Sequence, residues 1–155
     1  TEVRYYFKGS AEMGAVTVAY QKVFLLGFDE LALRSEGVWL WGDPVFHDEY
    51  PLSWGPIHTG FGDRYYVRKA AWQTLDYGFS LYQEVITLHA FADGTLYDRM
   101  DYRAGTAEIG AAFAAGPGLS LLLYDAFMFR LYYAYGRTNL GDGGWELSMS
   151  LRKVY

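Results

Sequence analysis

Apolar and polar positions alternate along most of this chain. The clearest case is residues 144–155, GWELSMSLRKVY, where Trp145, Leu147, Met149 and Leu151 are apolar and Glu146, Ser148, Ser150 and Arg152 between them are polar. A period of two marks a strand whose two faces meet different surroundings. Upstream, Phe127, Phe129, Leu131, Tyr133 and Tyr135 alternate with Met128, Arg130, Tyr132, Ala134 and Gly136, and the turn-forming RTNLGDGG joins the two strands into a hairpin. Aromatics on one face, with arginine, glutamate and small residues on the other, suit two settings. One is a half-buried sheet in water; the other is a barrel wall with lipid outside and a polar lumen behind it.

The same period recurs upstream. Residues 3–8 make a short strand. Val16, Val18 and Tyr20 share a face that Phe24, Leu26 and Phe28 continue beyond Lys22, which predicts one long strand or a reversal at Gln21 and Lys22. Leu31, Leu33, Trp39 and Trp41 alternate with Ala32, Arg34, Val38 and Leu40. In residues 64–81, Tyr65, Val67, Ala71, Leu75, Tyr77, Phe79 and Leu81 keep one parity, and Lys69 and Gln73 intrude on it as a bulge or a protruding strand end would allow. Residues 84–97 follow as a strand, and residues 98–105 as a turn. Ala107, Ile109, Ala111 and Phe113 then alternate up to Gly116-Pro117-Gly118, after which Leu119, Leu121 and Leu123 begin again.

The expectation is an all-β, antiparallel single domain over residues 1–155, with about eight strands. Alanine-rich residues 104–115 invite a helix, but their two glycines and the closing Gly-Pro-Gly favour a strand of small residues. Residues 42–63 have no period, and they hold three of the four prolines and two of the three histidines. A loop of that length is usually functional.

Composition narrows the class. Tyrosine (15), tryptophan (5) and phenylalanine (10) make up 19% of the chain beside 18 glycines, which favours strands and tight turns. No run of about eighteen apolar residues exists for a transmembrane helix, whereas a barrel strand needs only about ten alternating residues. The net charge of -5 argues against a nucleic-acid partner. The absence of cysteine removes disulfides, thiolate chemistry and cysteine metal sites. The chain opens at TEVRYY without a methionine, and a piece of a longer protein is expected.

Several short patterns then line up over residues 59–155: Asp76-Tyr77-Gly78-Phe79, Phe91-Ala92-Asp93-Gly94, Gly116 and Gly118 before Leu119, the run from Phe129 to Tyr135, and a final alternating strand closed by aromatic Tyr155. In this order they resemble the C-terminal region of the outer-membrane barrel-assembly and two-partner secretion transporter superfamily, whose members carry a sixteen-stranded barrel. Thr59-Gly60-Phe61 stands where that family has an Arg-Gly-Phe loop tip, with threonine in place of the anchoring arginine, and Lys153 stands where an apolar residue is expected.

The resemblance implies a transmembrane β-barrel, whole or as the C-terminal half of a larger one, in the outer membrane of a Gram-negative bacterium or an organelle. It implies a part in protein or lipid translocation or membrane insertion. The partners would be membrane lipids, with a polypeptide substrate or other barrel subunits as further candidates. Thr59, Gly60 and Phe61 would form a lumenal loop tip, and Trp145, Leu147, Met149, Leu151 and Tyr155 the C-terminal barrel signal. Asp76, Asp93, Glu108, Arg130 and Glu146 are the candidate lumenal charge network, because a charge in a narrow lumen needs partners; Arg130 would pair with Glu146, Glu108 or Asp93.

The expected mechanism is physical, with no enzymatic activity, cofactor or metal. His47, His58 and His89 are too scattered for a metal site, and Ser53, His58 and Asp63 share a loop, although a triad is recognised only by geometry. Gly141-Asp142-Gly143-Gly144 lacks the lysine and following helix of a phosphate loop. Trp39, Trp41, Tyr65, Trp145 and Tyr155 lie near strand ends, as interfacial girdles or as core residues. The alternatives are a soluble β-barrel holding an apolar ligand, an outer-membrane lipid hydrolase with an external His–Ser pair, and a purely structural barrel fragment. Parity alone does not say which face points inward.

Overall fold

Strand alternation becomes long antiparallel strands joined by tight reversals. A computed structural model describes residues 2–6, 14–42, 50–51, 66–83, 85–101, 106–124, 126–139, 141 and 143–153. The strands are β1 (Glu2–Tyr6), β2 (Gly14–Leu26), β3 (Asp29–Trp41), β4 (Tyr50–Pro51), β5 (Tyr66–Val67), β6 (Lys69–Tyr82), β7 (Ile86–Asp101), β8 (Thr106–Leu123), β9 (Phe127–Thr138) and β10 (Gly143–Lys153). Eight of them form one sheet in the order β1-β2-β3-β6-β7-β8-β9-β10, and β4 pairs with β5 in a separate ribbon. Each of β2–β3, β6–β7, β8–β9 and β9–β10 is a hairpin. Gly27 (φ 75°) and Gly141 (φ 98°) turn the first and last of these through a left-handed conformation that glycine adopts without a Cβ clash.

The sheet is open. Among the described residues β1 pairs only with β2 and β10 only with β9, so the two end strands do not meet. This corrects the expectation of a closed transmembrane barrel. Without a closed wall there is no enclosed lumen for a polypeptide or lipid to pass, and the outer-membrane translocation and insertion role goes with it. The soluble ligand-holding barrel and the barrel-borne lipid hydrolase fail on the same ground.

Several boundaries also differ from expectation. The run on either side of Lys22 is one strand, β2, and the reversal comes at Gly27 and Phe28. The register shift of β6 against β7 lies between Ser80 and Tyr82 and not at Gln73, while Lys69 is the first residue of the strand. β7 continues to Asp101, through much of the expected turn. β8 runs unbroken through Gly116-Pro117-Gly118 for 18 residues. Pro117 has no N–H to give, and the β8–β9 ladder lapses at residues 116 and 117, then resumes at Gly118↔Tyr132 without a change of register. Within residues 42–63, Tyr50 and Pro51 pair with β5. Thr59, Gly60, Phe61, His47, Ser53, His58, Asp63, Tyr65 and Tyr155 lie outside the described residues.

Away from one strand end, the sheltered face carries mainly polar and small positions, and most large apolar positions face outward. Along β7, His89, Phe91, Asp93, Thr95 and Tyr97 are all buried, while Leu88 and Leu96 are exposed. At one end of the inner face Val38, Leu40, Val67, Ala70, Trp72, Tyr97, Ala112 and Ala114 pack into a core. Polar side chains fill the other end.

Candidate functional site

The polar end is built by four adjacent strands. His89 on β7 stands between Gly78 of β6 and Gly118 of β8 in the register. One pleat step away on opposite sides, Asp76 (β6) and Ser120 (β8) reach it diagonally, within the range of cross-strand side chains. His89 Nδ1 lies 3.0 Å from Asp76 Oδ1, and His89 Nε2 lies 2.8 Å from Ser120 Oγ. Tyr132 on β9 donates its hydroxyl to the other Asp76 oxygen, Oδ2, at 3.0 Å. His89 is 5% exposed and Ser120 4%.

The chemistry of the donors orders this network. A carboxylate only accepts, so the imidazole hydrogen facing Asp76 sits on Nδ1. In neutral His89 the Nε2 atom is then the acceptor, and Ser120 donates its hydroxyl to it. The arrangement is an Asp–His–Ser relay with the imidazole oriented to take a proton from serine.

Glycine makes the room. A Cβ at Gly118 would lie 2.5 Å from the Tyr132 ring and 3.0 Å from His89 Cβ. The ring therefore lies across β8, tilted against His89 at 5.6 Å and edge-on to Phe91 at 5.2 Å. Burial and the Asp76 charge push the Tyr132 hydroxyl well above its ordinary pKa, against a smaller opposing pull from Arg130. Arg130 faces Ser120 directly across the β8–β9 ladder, and its buried Nε has no hydrogen-bond partner.

All five residues of the expected charge network share this inner face, but only Asp76 belongs to the relay. Asp93 is 1% exposed and lies further along β7, opposite Thr74 and Ala114. Glu108 is exposed near the start of β8. The last hairpin sets Arg130 opposite Ser150 and Glu146 opposite Ala134, so it does not bring that pair face to face. Trp145, Leu147, Met149 and Leu151 are exposed on the outer face, where Trp145 stacks on Tyr133 at 4.8 Å. His89, Ser120 and Tyr132 were missed as a group. Their one sequence signal was polar side chains on the small-residue parity, flanked by glycine on neighbouring strands.

A second feature lies at the opposite strand ends. Trp39, Trp41, Gly42, Arg68, Lys69, Asp98 and neighbouring residues line a pocket of about 290 Å³, with the Lys69 ammonium 5.2 Å from the Trp39 ring centre. Among the described residues no three His, Asp or Glu gather as metal ligands, and no helix is long and apolar enough to cross a membrane.

Compared with family models, curated proteins and solved structures, the chain matches none. The family resemblance therefore rests on its short motifs alone.

Proposed function

We propose that the protein binds lipid through the outer face of its sheet, with acyl chains covering the apolar side chains and the relay face turned away. The observation that carries this is the inverted burial. Phe24, Leu75, Phe79, Leu96, Ile109 and Leu147 are all exposed on one continuous face, while His89, Asp93 and Ser120 are buried behind it. A contiguous apolar surface across so many strands is far beyond the scattered exposed residues normal for a soluble surface.

Lipid is favoured over a protein partner by shape and by the order of side chains. The sheet curls over its polar face, which makes the apolar face convex, and fluid chains follow a convex surface. Trp39, Trp41, Tyr135 and Trp145 gather at one set of strand ends, and Phe79, Tyr82, Tyr124 and Phe127 at the other. Aromatic rims around an aliphatic middle suit the boundary between acyl chains and water. Between the rims, Lys22 is the one charged side chain on this face among the described residues, and its ammonium lies 4.8 Å from the Phe24 ring centre. A long lysine of that kind keeps its stem in apolar surroundings and its head at a polar or aromatic contact. Among the described residues the end strands pair on one side only, which leaves backbone groups that need water or a pairing partner. The face, not the edges, therefore meets the chains.

The test is flotation with phospholipid vesicles. The folded chain is expected to rise with the vesicles in high salt as well as low, since the contact is apolar. Folded protein that stays at the bottom of the gradient contradicts the proposal.

A further inference from the structure

We infer that Ser120 is a nucleophile toward small carboxylic esters, with His89 as its general base, Asp76 holding His89 in place and Arg130 as the oxyanion donor. Three observations support this assignment together. His89 Nε2 is 2.8 Å from Ser120 Oγ, within the reach that proton transfer requires. His89 Nδ1 is held 3.0 Å from Asp76 Oδ1, which fixes the tautomer that leaves Nε2 free to accept. Arg130 stands opposite Ser120 in the ladder with a buried Nε that has no hydrogen-bond partner, so a donor is left over beside the nucleophile. Structural hydrogen bonding of a buried serine and histidine accounts for the first two contacts but leaves the guanidinium donor unused.

Access comes from the open edge. The row that begins at buried Ser120 passes to half-buried Arg130 and ends at exposed Ser150 on β10. A small ester enters along that row with its carbonyl oxygen toward Arg130. Ser120 Oγ bonds to the carbonyl carbon as its proton passes to His89 Nε2, and the carbonyl π pair moves onto the oxygen. That pair returns as the bond to the alkoxide breaks, and His89 hands its proton to the departing alcohol. Water then attacks the acyl-serine, gives a proton to His89, and releases the acid as Ser120 recovers its own. Because Asp76 acts only through His89, it is a positioning residue.

The full chain, its strand content confirmed by circular dichroism, is treated with a fluorophosphonate probe and separately with p-nitrophenyl acetate. The expected result is a covalent adduct mapped to Ser120, absent in Ser120→Ala, with an initial burst of p-nitrophenol. His89→Gln is expected to slow labelling at least about hundredfold. Asp76→Asn is expected to slow it and to alter its pH profile, which a merely structural role would not do. Folded wild-type protein that takes no label overturns the assignment, as does label found equally in Ser120→Ala. A folded His89→Gln that labels at the wild-type rate removes the relay. None of these readouts uses lipid, so their failure is separate from failure of lipid binding.

Discussion

The Tyr132 hydroxyl lies 3.0 Å from Asp76 Oδ2 although two whole strands, β7 and β8, stand between their own. In a flat sheet three strand spacings would separate the two backbones by about 14 Å. The contact therefore records how far the sheet curls over its polar face. Tyr132→Phe removes the donor and leaves a half-buried carboxylate oxygen short of a partner. A loss of about 1–3 kcal/mol is expected in urea unfolding. An unchanged midpoint would mean that the curl does not depend on this contact.

The same tyrosine sets a limit in alkali. Its hydroxyl is held above the ordinary value of 10.0, first by burial and then by the Asp76 charge. Below pH 10 both folded and unfolded chains keep this proton, and its contribution to stability is complete. Above pH 10 the unfolded chain loses the proton while the folded one retains it, so stability falls as pH rises. The Tyr132 hydroxyl is expected to titrate only with unfolding, and in tyrosinate absorbance Tyr132→Phe should remove that step. Tyr77 is also raised, mainly by its hydrogen bond to Asp29, but it is exposed and should titrate without unfolding.

Two glycines of β8 should differ in what an added methyl does. At Gly118 the methyl meets the edge of the Tyr132 ring, which moves at the cost of its Asp76 bond. At Gly116 it runs into the carbonyl oxygen of Tyr133, and no side-chain rotation relieves that. Gly116→Ala is expected to cost more than Gly118→Ala, with Gly118→Ala near about 1–3 kcal/mol. The thermal unfolding midpoints of the two variants check the order.

On the outer face the expectation reverses. Leu147 and Met149 are exposed, so the double change to serine should alter stability in water by only about 0.5 kcal/mol. Vesicle binding should weaken at least about tenfold, since two apolar side chains leave the contact. Flotation against lipid concentration, with chemical unfolding as the control, reads both effects.

Much of the fold was legible, because alternation reports each strand's two environments. The last hairpin pairs as its pattern implies, with Leu147 opposite Tyr133 and Met149 opposite Leu131. Closure was not legible, because period and parity describe faces and not how far a sheet curls or whether its ends meet. β8 was misjudged at Gly116-Pro117-Gly118, where turn-forming residues serve as a gap in one ladder and as floor for the Tyr132 ring. The relay was hidden for a related reason. Asp76, His89 and Ser120 are separated by 13 and 31 residues, and only the register of two successive hairpins brings them together. The outward direction of the apolar face was also beyond the sequence, since inner and outer parities alternate identically.

If acyl chains cover the outer face, Trp145, 61% exposed and stacked on Tyr133, is the natural reporter. The measurement is fluorescence quenching of a variant retaining tryptophan only at Trp145, in vesicles whose acyl chains carry bromine at defined depths. Strong quenching by brominated chains, weaker when bromine lies deep than when it lies near the headgroups, is the predicted result for a rim residue. Emission indifferent to bromine, from folded protein in the presence of excess vesicles, would show that acyl chains do not cover this face.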